Sequence, residues 1–316
     1  MWCHRAIGYL ISLRRRYGLA KTLRHPRDMT RVLILGASGM LGHRLWRECS
    51  DRFEAFGTVR GQAGTLPDGN REDGNRVVSG VLAEDPKSVE SAIARTAPQV
   101  VANCIGIVKQ SKAAKDAAGM VEVNSLLPQR LAGICETHGV RLIHISTDCV
   151  FSGRRGSYNE LELPDPADLY GRSKLAGEPE APGVLTLRTS MIGWEHTTRN
   201  GLLEWFASQD GAAVTGFRKA VFSGPTVPEV ARLIATIADA HPKLAGTYHV
   251  GAAPISKYEL LVKIRDALEF PIEIEPADEP RIDRSLDSSR LRDAIGWTAP
   301  NWDEMVAELA RERKPA

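Results

Sequence analysis

The chain has 316 residues, 43% hydrophobic, 25% charged and 6% aromatic, with a formal net charge of +2. These are the fractions of a folded globular protein. They exclude a disordered, collagen-like or coiled-coil chain, and no run approaches the ~18 apolar residues of a membrane-spanning helix. The charge is uneven: residues 1–31 hold eight Lys/Arg against Asp28 alone, so the other 285 residues sum to −5 and lack the basic surface of a nucleic-acid binder.

Residues 1–28 form a basic extension with a short apolar stretch (6–13) followed by Arg14, Arg15 and Arg16, which is the wrong order for a signal peptide. Two readings stay open. One is an amphipathic helix lying on a membrane surface; the other is a segment outside the folded body, with the natural start at Met29. The five cysteines (Cys3, Cys49, Cys104, Cys135, Cys149) are odd in number and widely spaced, with no C-x-x-C pair. That pattern gives no disulfide framework and no zinc site, and a reducing cytoplasm is the expected compartment.

From Arg31 short β-branched runs alternate with longer helical patterns, as in a parallel sheet with crossover helices. Strands are predicted at 32–35, 54–59, 77–79, 100–104, 141–146 and 184–188. Asp85-Pro86 starts a helix, and another is predicted to run unbroken from about 113 to 138 with Gly139 at its end. Residues 61–76, rich in Gly and Asp, read as a surface loop. Beyond 190 the rhythm changes. Helices are predicted at 201–209, 225–240, 256–268 and 301–311, the last with Asn301 and Glu304 as a capping-box pair, and short strands near 247–250 and 272–275.

Gly36-Ala37-Ser38-Gly39-Met40-Leu41-Gly42 follows the first strand and opens a helix. Glycines so placed permit a tight turn, close approach to a pyrophosphate and close helix–strand packing, with the helix N-terminus holding the phosphate charge. About 20 residues on, where an NAD site offers a carboxylate to the ribose 2′-hydroxyl, the second strand ends in Gly57-Thr58-Val59-Arg60. A cation there suits a 2′-phosphate, so NADPH is expected rather than NADH.

Tyr170 and Lys174 stand one helical turn apart on one face, 23 residues after Ser146-Thr147-Asp148 closes an apolar strand. A neighbouring Lys⁺ makes a Tyr hydroxyl a usable proton donor to a reduced ketone oxygen, and Thr147 can fix the angle of that oxygen. The ordered segments GASGMLG, NCIGIV, VNSLLPQRLA, HISTDCVFSG, YGRSKLAGE, LRTSMIG and FSGPT resemble the extended short-chain dehydrogenase/reductase superfamily. More narrowly they resemble the dTDP-4-dehydrorhamnose reductase family, from about residue 31 to the C-terminus.

The resemblance implies Thr147, Tyr170 and Lys174 as the catalytic set. It places Gly36, Ser38, Gly39, Met40, Leu41, Gly42, Arg60, Val81, Leu82, Asn103, Cys104 and Ile105, with Tyr170 and Lys174, along the cofactor. Asp148, Cys149 and Met191 would face the substrate. Arg281, four residues before Ser285-Leu286-Asp287 in a run like R-P-x-x-S-x-L-D with Ile282 for the Pro, would meet nucleotide or diphosphate. No metal is expected. The fold implied is α/β: a doubly wound parallel-sheet Rossmann domain at 29–190, rejoined by about 222–252, with a smaller mixed α/β substrate-binding lobe at 191–221 and 253–316. A homodimer is expected, with a nucleotide sugar as substrate and neither nucleic acid nor an integral membrane span as partner.

Two departures bear on function. Cys149 and Met191 stand where the family usually has Tyr and Trp. Cys149 also replaces the Glu that sugar-nucleotide 4,6-dehydratases carry after Asp, which excludes dehydration. In GDP-fucose synthase a Cys at this spacing moves a proton beside a ketone opposite a His, so an epimerase using Cys149 and His196 is an alternative. A third reading is a non-catalytic NADP-binding regulatory subunit, after the β subunit of methionine adenosyltransferase, which also resembles this family. The intact Thr147, Tyr170 and Lys174 weigh against it.

Overall fold

The computed structural model describes residues 29–62, 76–195, 199 and 201–312. The basic extension, most of the 61–76 segment and His196 lie outside them. Seven parallel strands form the main sheet: β1 (Arg31–Leu35), β2 (Glu54–Thr58), β3 (Val77–Val78), β4 (Val100–Asn103), β5 (Arg141–Ser146), β6 (Val184–Arg188) and β9 (Gly246–His249). Their order is β3-β2-β1-β4-β5-β6-β9. The winding reverses between β1 and β4, and in such sheets ligands bind outside the carboxyl ends of the strands at that point.

β1 reads RVLIL without polar alternation because both of its faces are covered. Val32 and Ile34 pack on the side of α1 (Met40–Cys49) and α7 (Val227–Ala240). Leu33 and Leu35 pack on the side of α2 (Pro86–Thr96) and α4 (Leu127–Thr137). Asp85 caps α2 as its sequence predicts, accepting from Lys87 N at 3.0 Å with Pro86 in the first turn.

The helix expected to run unbroken over 113–138 is instead divided. A short 3-10 turn (Lys112–Lys115) ends at Asp116, whose extended backbone (φ −91°, ψ 99°) caps α3 (Ala117–Val121) through Gly119 N. A π-helical turn at Glu122–Leu126 then leads into α4. The π-turn has a local cause: Pro128 lacks the N–H that would bond the Asn124 carbonyl four residues back. Gly139, at φ +63°, closes this segment.

A second core holds Leu203, Phe206, Leu260, Ile264, Ile274, Trp302 and Met305. It is built from α6 (Leu202–Ala207), α8 (Lys257–Leu268), α10 (Trp302–Glu312) and the parallel pair β7 (Ala213–Phe217) and β11 (Glu273–Ala277). Beside it lie the strands β10 (Ile255–Ser256), β8 (Ala220–Phe222) and β12 (Ile282–Asp283), in that order. Here Ser256 and Glu259 form a complete capping box at α8, and Asn301 accepts from Glu304 N at 2.9 Å at α10. α9 (Ser289–Ile295) and the strands β7, β8, β10 and β12 had no clear periodic signal. No helix among the described residues is long and apolar enough to cross a membrane.

Candidate active site

The three motif glycines do three different jobs after β1. Gly36 takes φ +80°, in the left-handed region, and its N–H donates to Thr58 Oγ1 at 3.1 Å. Gly39 is exposed at the N-terminus of α1, whose first turn carries no acidic residue. At Gly42 a Cβ would stand 2.1 Å from the Gly36 carbonyl oxygen, so only glycine lets the helix lie this close to the turn. Ser38 and Met40 are partly buried beside it, whereas the Leu41 side chain belongs to the sheet core.

Arg60 lies just past β2 with 71% of its side chain exposed, 3.9 Å from Glu84. Of the other residues expected along the cofactor, Val81 is buried in the core and Leu82 is exposed. The Asn103 side chain does not face the crevice. It is fully buried, bonds His144 Nδ1 at 3.2 Å and accepts from Ile105 N at 3.1 Å, which shapes the turn that carries Cys104 and Ile105. Ile105 lies against Gly36, where a Cβ would meet its Cγ1 at 3.0 Å.

β5 ends in Ser146, and the next residues turn. Thr147 Oγ1 accepts from Cys149 N at 3.1 Å and lies 3.3 Å from Asp148 Oδ1. Tyr170 and Lys174 arrive on α5 (Leu169–Ala176), which Asp168 caps by accepting from Gly171 N at 2.8 Å. α5 lies against the turn after β5, Gly171 beside the Cys149 carbonyl, which brings Tyr170 and Lys174 to the side of Thr147.

Burial pushes the Tyr170 hydroxyl above the usual tyrosine range, and the Asp148 and Asp168 carboxylates act in the same direction. The Lys174 ammonium donates to the Ile145 carbonyl at 2.6 Å, which fixes it one helical turn from Tyr170. Burial brings Lys174 itself down to about 8, against the opposing pull of Glu178.

What positions α5 was only partly visible in the sequence. At its N-terminal end, a Cβ on Gly171 would sit 2.1 Å from the Cys149 carbonyl oxygen. Just past its other end, a Cβ on Gly177 would sit 1.9 Å from the carbonyl oxygen of Asn124 in the π-turn. The Asn124 side chain accepts from Ile107 N and donates to Ile107 O, both at 2.9 Å, and reaches Ser173 Oγ at 3.2 Å. Glu178 is held by Arg188 Nη2 at 2.7 Å and accepts from Ser146 Oγ at 2.5 Å. The segments containing Asn124 and Glu178 stood out as motifs, but their partners are 17 to 49 and 10 to 32 residues away and are set by the fold.

On the substrate side, burial pushes the Cys149 thiol up to about 11, aided by Asp148. Met191 is partly buried against the main core. Arg281 is 67% exposed just before β12 and lies 3.1 Å from Glu279. Arg284 takes the nearer place: it donates to the Phe151 carbonyl at 2.9 Å, and its charge acts on Cys149. Among the described residues no cluster of His, Cys, Asp or Glu could hold a metal ion.

A glycine turn at the switch point of a doubly wound parallel sheet, with Thr, Tyr and Lys meeting at its carboxyl edge, defines a protein of the extended short-chain dehydrogenase/reductase class. Residues 29–314 match the family described as RmlD substrate binding domain, and the chain belongs to that family.

The methionine adenosyltransferase 2 subunit beta of Danio rerio is 30% identical over 254 residues, covering 76% of this chain and 75% of that one. A dTDP-4-dehydrorhamnose reductase of Streptomyces griseus is 34% identical over 161 residues, 51% of this chain and 47% of that one. The fold resembles the crystal structure of dTDP-4-dehydrorhamnose reductase from Bacillus anthracis in complex with NADP. That match has a TM-score of 0.75 at 22% identity and covers 90% of this chain and 100% of that one.

Proposed function

We propose that this chain is an NADPH-dependent reductase of the 4-keto group of a nucleotide-activated 6-deoxy sugar. The observation that carries this reading is the meeting of Thr147, Tyr170 and Lys174 at the carboxyl edge of β5, within the RmlD family. The relative from Streptomyces griseus, named a dTDP-4-dehydrorhamnose reductase, supports the substrate class.

The residues present fit a dinucleotide. At Gly39 a Cβ would meet only the Gly36 carbonyl, which leaves bare backbone N–H groups at the start of a ten-residue helix with no acid in its first turn. Arg60, with no carboxylate in its place, suits a 2′-phosphate. When bound, NADPH supplies the hydride. The neutral Tyr170 hydroxyl gives its proton to the new alkoxide oxygen, a transfer that a raised pKa still permits because an alkoxide is far more basic than a phenolate. Thr147 orients that oxygen, and Lys174, one helical turn from Tyr170, offsets the phenolate charge left behind. In this reading 29–190 with 222–252 holds the cofactor and 191–221 with 253–316 the sugar, in a cytoplasmic homodimer.

The test follows NADPH absorbance with a panel of 4-keto-6-deoxy sugar nucleotides. Oxidation that Tyr170→Phe abolishes establishes the reading. No oxidation with any of them, while NADPH binds, overturns it. A second reading, a regulatory subunit, is favoured by the 30% identity to the Danio rerio protein over most of both chains. Stable co-purification with a larger enzyme and no ketosugar turnover would establish that one instead.

A further inference from the structure

One cation reaches the crevice without a role in the reaction above. Lys257 is the first residue of α8, and its Nζ stands 4.3 Å from the centroid of the Phe222 ring on β8. The strand residue before it, Ser256, pairs with Val221 of the same β8, so the position of Lys257 is fixed by the lobe's own backbone. From there its charge is coupled to the turn after β5. Asp148 favours its charge, Lys109 opposes it, and the Cys149 thiol lies within its field.

A structural role accounts poorly for this placement. A cation at a helix N-terminus is set against the helix dipole, where an anion would be favoured. The side chain is partly buried, and burial depresses its ammonium below the usual lysine range. Among the described residues no hydroxyl, carbonyl or carboxylate bonds its Nζ, so three N–H donors have only an aromatic face. The two other cations acting on Cys149 are differently placed. Lys109 stands 3.8 Å from Asp168, and Arg284 donates to the Phe151 carbonyl. Lys257 is the one of the three with no acceptor among the described residues.

We propose that Lys257 is a substrate-positioning residue that takes an anionic oxygen of the diphosphate of the nucleotide sugar, and so holds the sugar ring against the Thr147–Cys149 turn. This rests on the sugar-nucleotide reading, so its test uses binding rather than turnover. Wild type, Lys257→Met and Lys257→Arg are titrated calorimetrically with dTDP, UDP-glucose, UDP-glucuronate and NADPH. Met keeps an apolar stem on Phe222 while removing the charge.

A tenfold or greater weakening of dTDP binding by Lys257→Met, with Arg restoring it and NADPH unaffected, assigns the diphosphate. A loss confined to UDP-glucuronate overturns the proposal, because a 6-deoxy sugar carries no carboxylate. Unchanged affinities for all three nucleotides, or equal losses including NADPH, overturn the proposal. Where a 4-keto substrate turns over, KM rises with Lys257→Met while kcat changes little. If none turns over, the reductase reading fails but the titrations still decide the role of Lys257.

Discussion

Gly171 faces the carbonyl oxygen of Cys149 at a distance that leaves no room for a side chain: a Cβ would stand 2.1 Å from it. The helix that carries Tyr170 and Lys174 is thereby held against the turn that carries Thr147. Gly171→Ala must push the two apart, at a cost of about 1–3 kcal/mol in line with other over-packed sites. The expected outcome is a lower Tm and a kcat/KM reduced by roughly 100-fold or more, since a shift of about 1 Å in reacting groups has that effect. Full activity with unchanged Tm would show that the helix is not seated by this contact.

Tyr170→Phe removes the proton donor and leaves the packing of the ring. General acid catalysis contributes about 10²- to 10⁴-fold, so kcat for ketosugar reduction should fall by that range with the KM for NADPH little changed. Steady-state kinetics on the active substrate measure both.

Lys174 carries a pH-dependent stability cost. Its ordinary value of 10.5 is brought to about 8 in the folded chain by burial, so between those values the folded chain binds fewer protons than the unfolded one. The cost of the buried charge is therefore fully present below pH 8 and fades as pH rises toward 10.5. Lys174→Met should lose activity yet gain about 1–3 kcal/mol of stability at pH 7, less whatever the unpaired Ile145 carbonyl takes back. Denaturant titrations at pH 7 and pH 10 should show that gain shrinking at the higher pH. A gain equal at both would sink the argument.

Arg60 is exposed beyond β2 and offers charge-assisted bonds to a 2′-phosphate. Arg60→Ala should raise the KM for NADPH by about tenfold or more, on the basis of ~1.5–3 kcal/mol per bond to a charged group, and leave that for NADH within about twofold. Equal effects on both cofactors would place Arg60 elsewhere.

Cys149 should be a neutral thiol across the physiological range, because burial and Asp148 hold it up to about 11. Alkylation by iodoacetamide, followed at each cysteine by peptide mass spectrometry, should remain slow at pH 7–8 and rise toward pH 11. Fast modification near neutrality would instead favour the epimerase reading, in which this thiol must ionise.

The sheet was legible because its strands are buried on both faces and announce themselves as apolar runs. β1, β5 and β6 fall at the predicted residues to within one position. Helices with an explicit cap, such as α2 after Asp85, were equally plain. The failures have two causes: local breaks hidden under a helical period, and deciding partners that are distant in sequence. The break at Asp116 and the π-turn at Asn124 follow from short-range chemistry, yet periodicity over 113–138 hides them. Arg281 and Arg284 could not be told apart by motif spacing, because β12 pairs with β8 and that pairing sets which of them turns inward. Lys257 gave no sign at all, since only the packing of α8 against β8 shows where its ammonium points.

The sheet closes late. β6, with all five residues buried, gains its outer neighbour only from β9, and between them the chain builds α6, β7, β8 and α7. A ribosome that has released residues up to 188 has thus made six parallel strands whose last edge is apolar and unpaired. That edge is an invitation to association with other nascent chains, and it remains open until residue 249 emerges. Shortened forms ending before β9 should therefore accumulate as aggregates even though every residue of the glycine turn and of the Thr147, Tyr170 and Lys174 set is present in them.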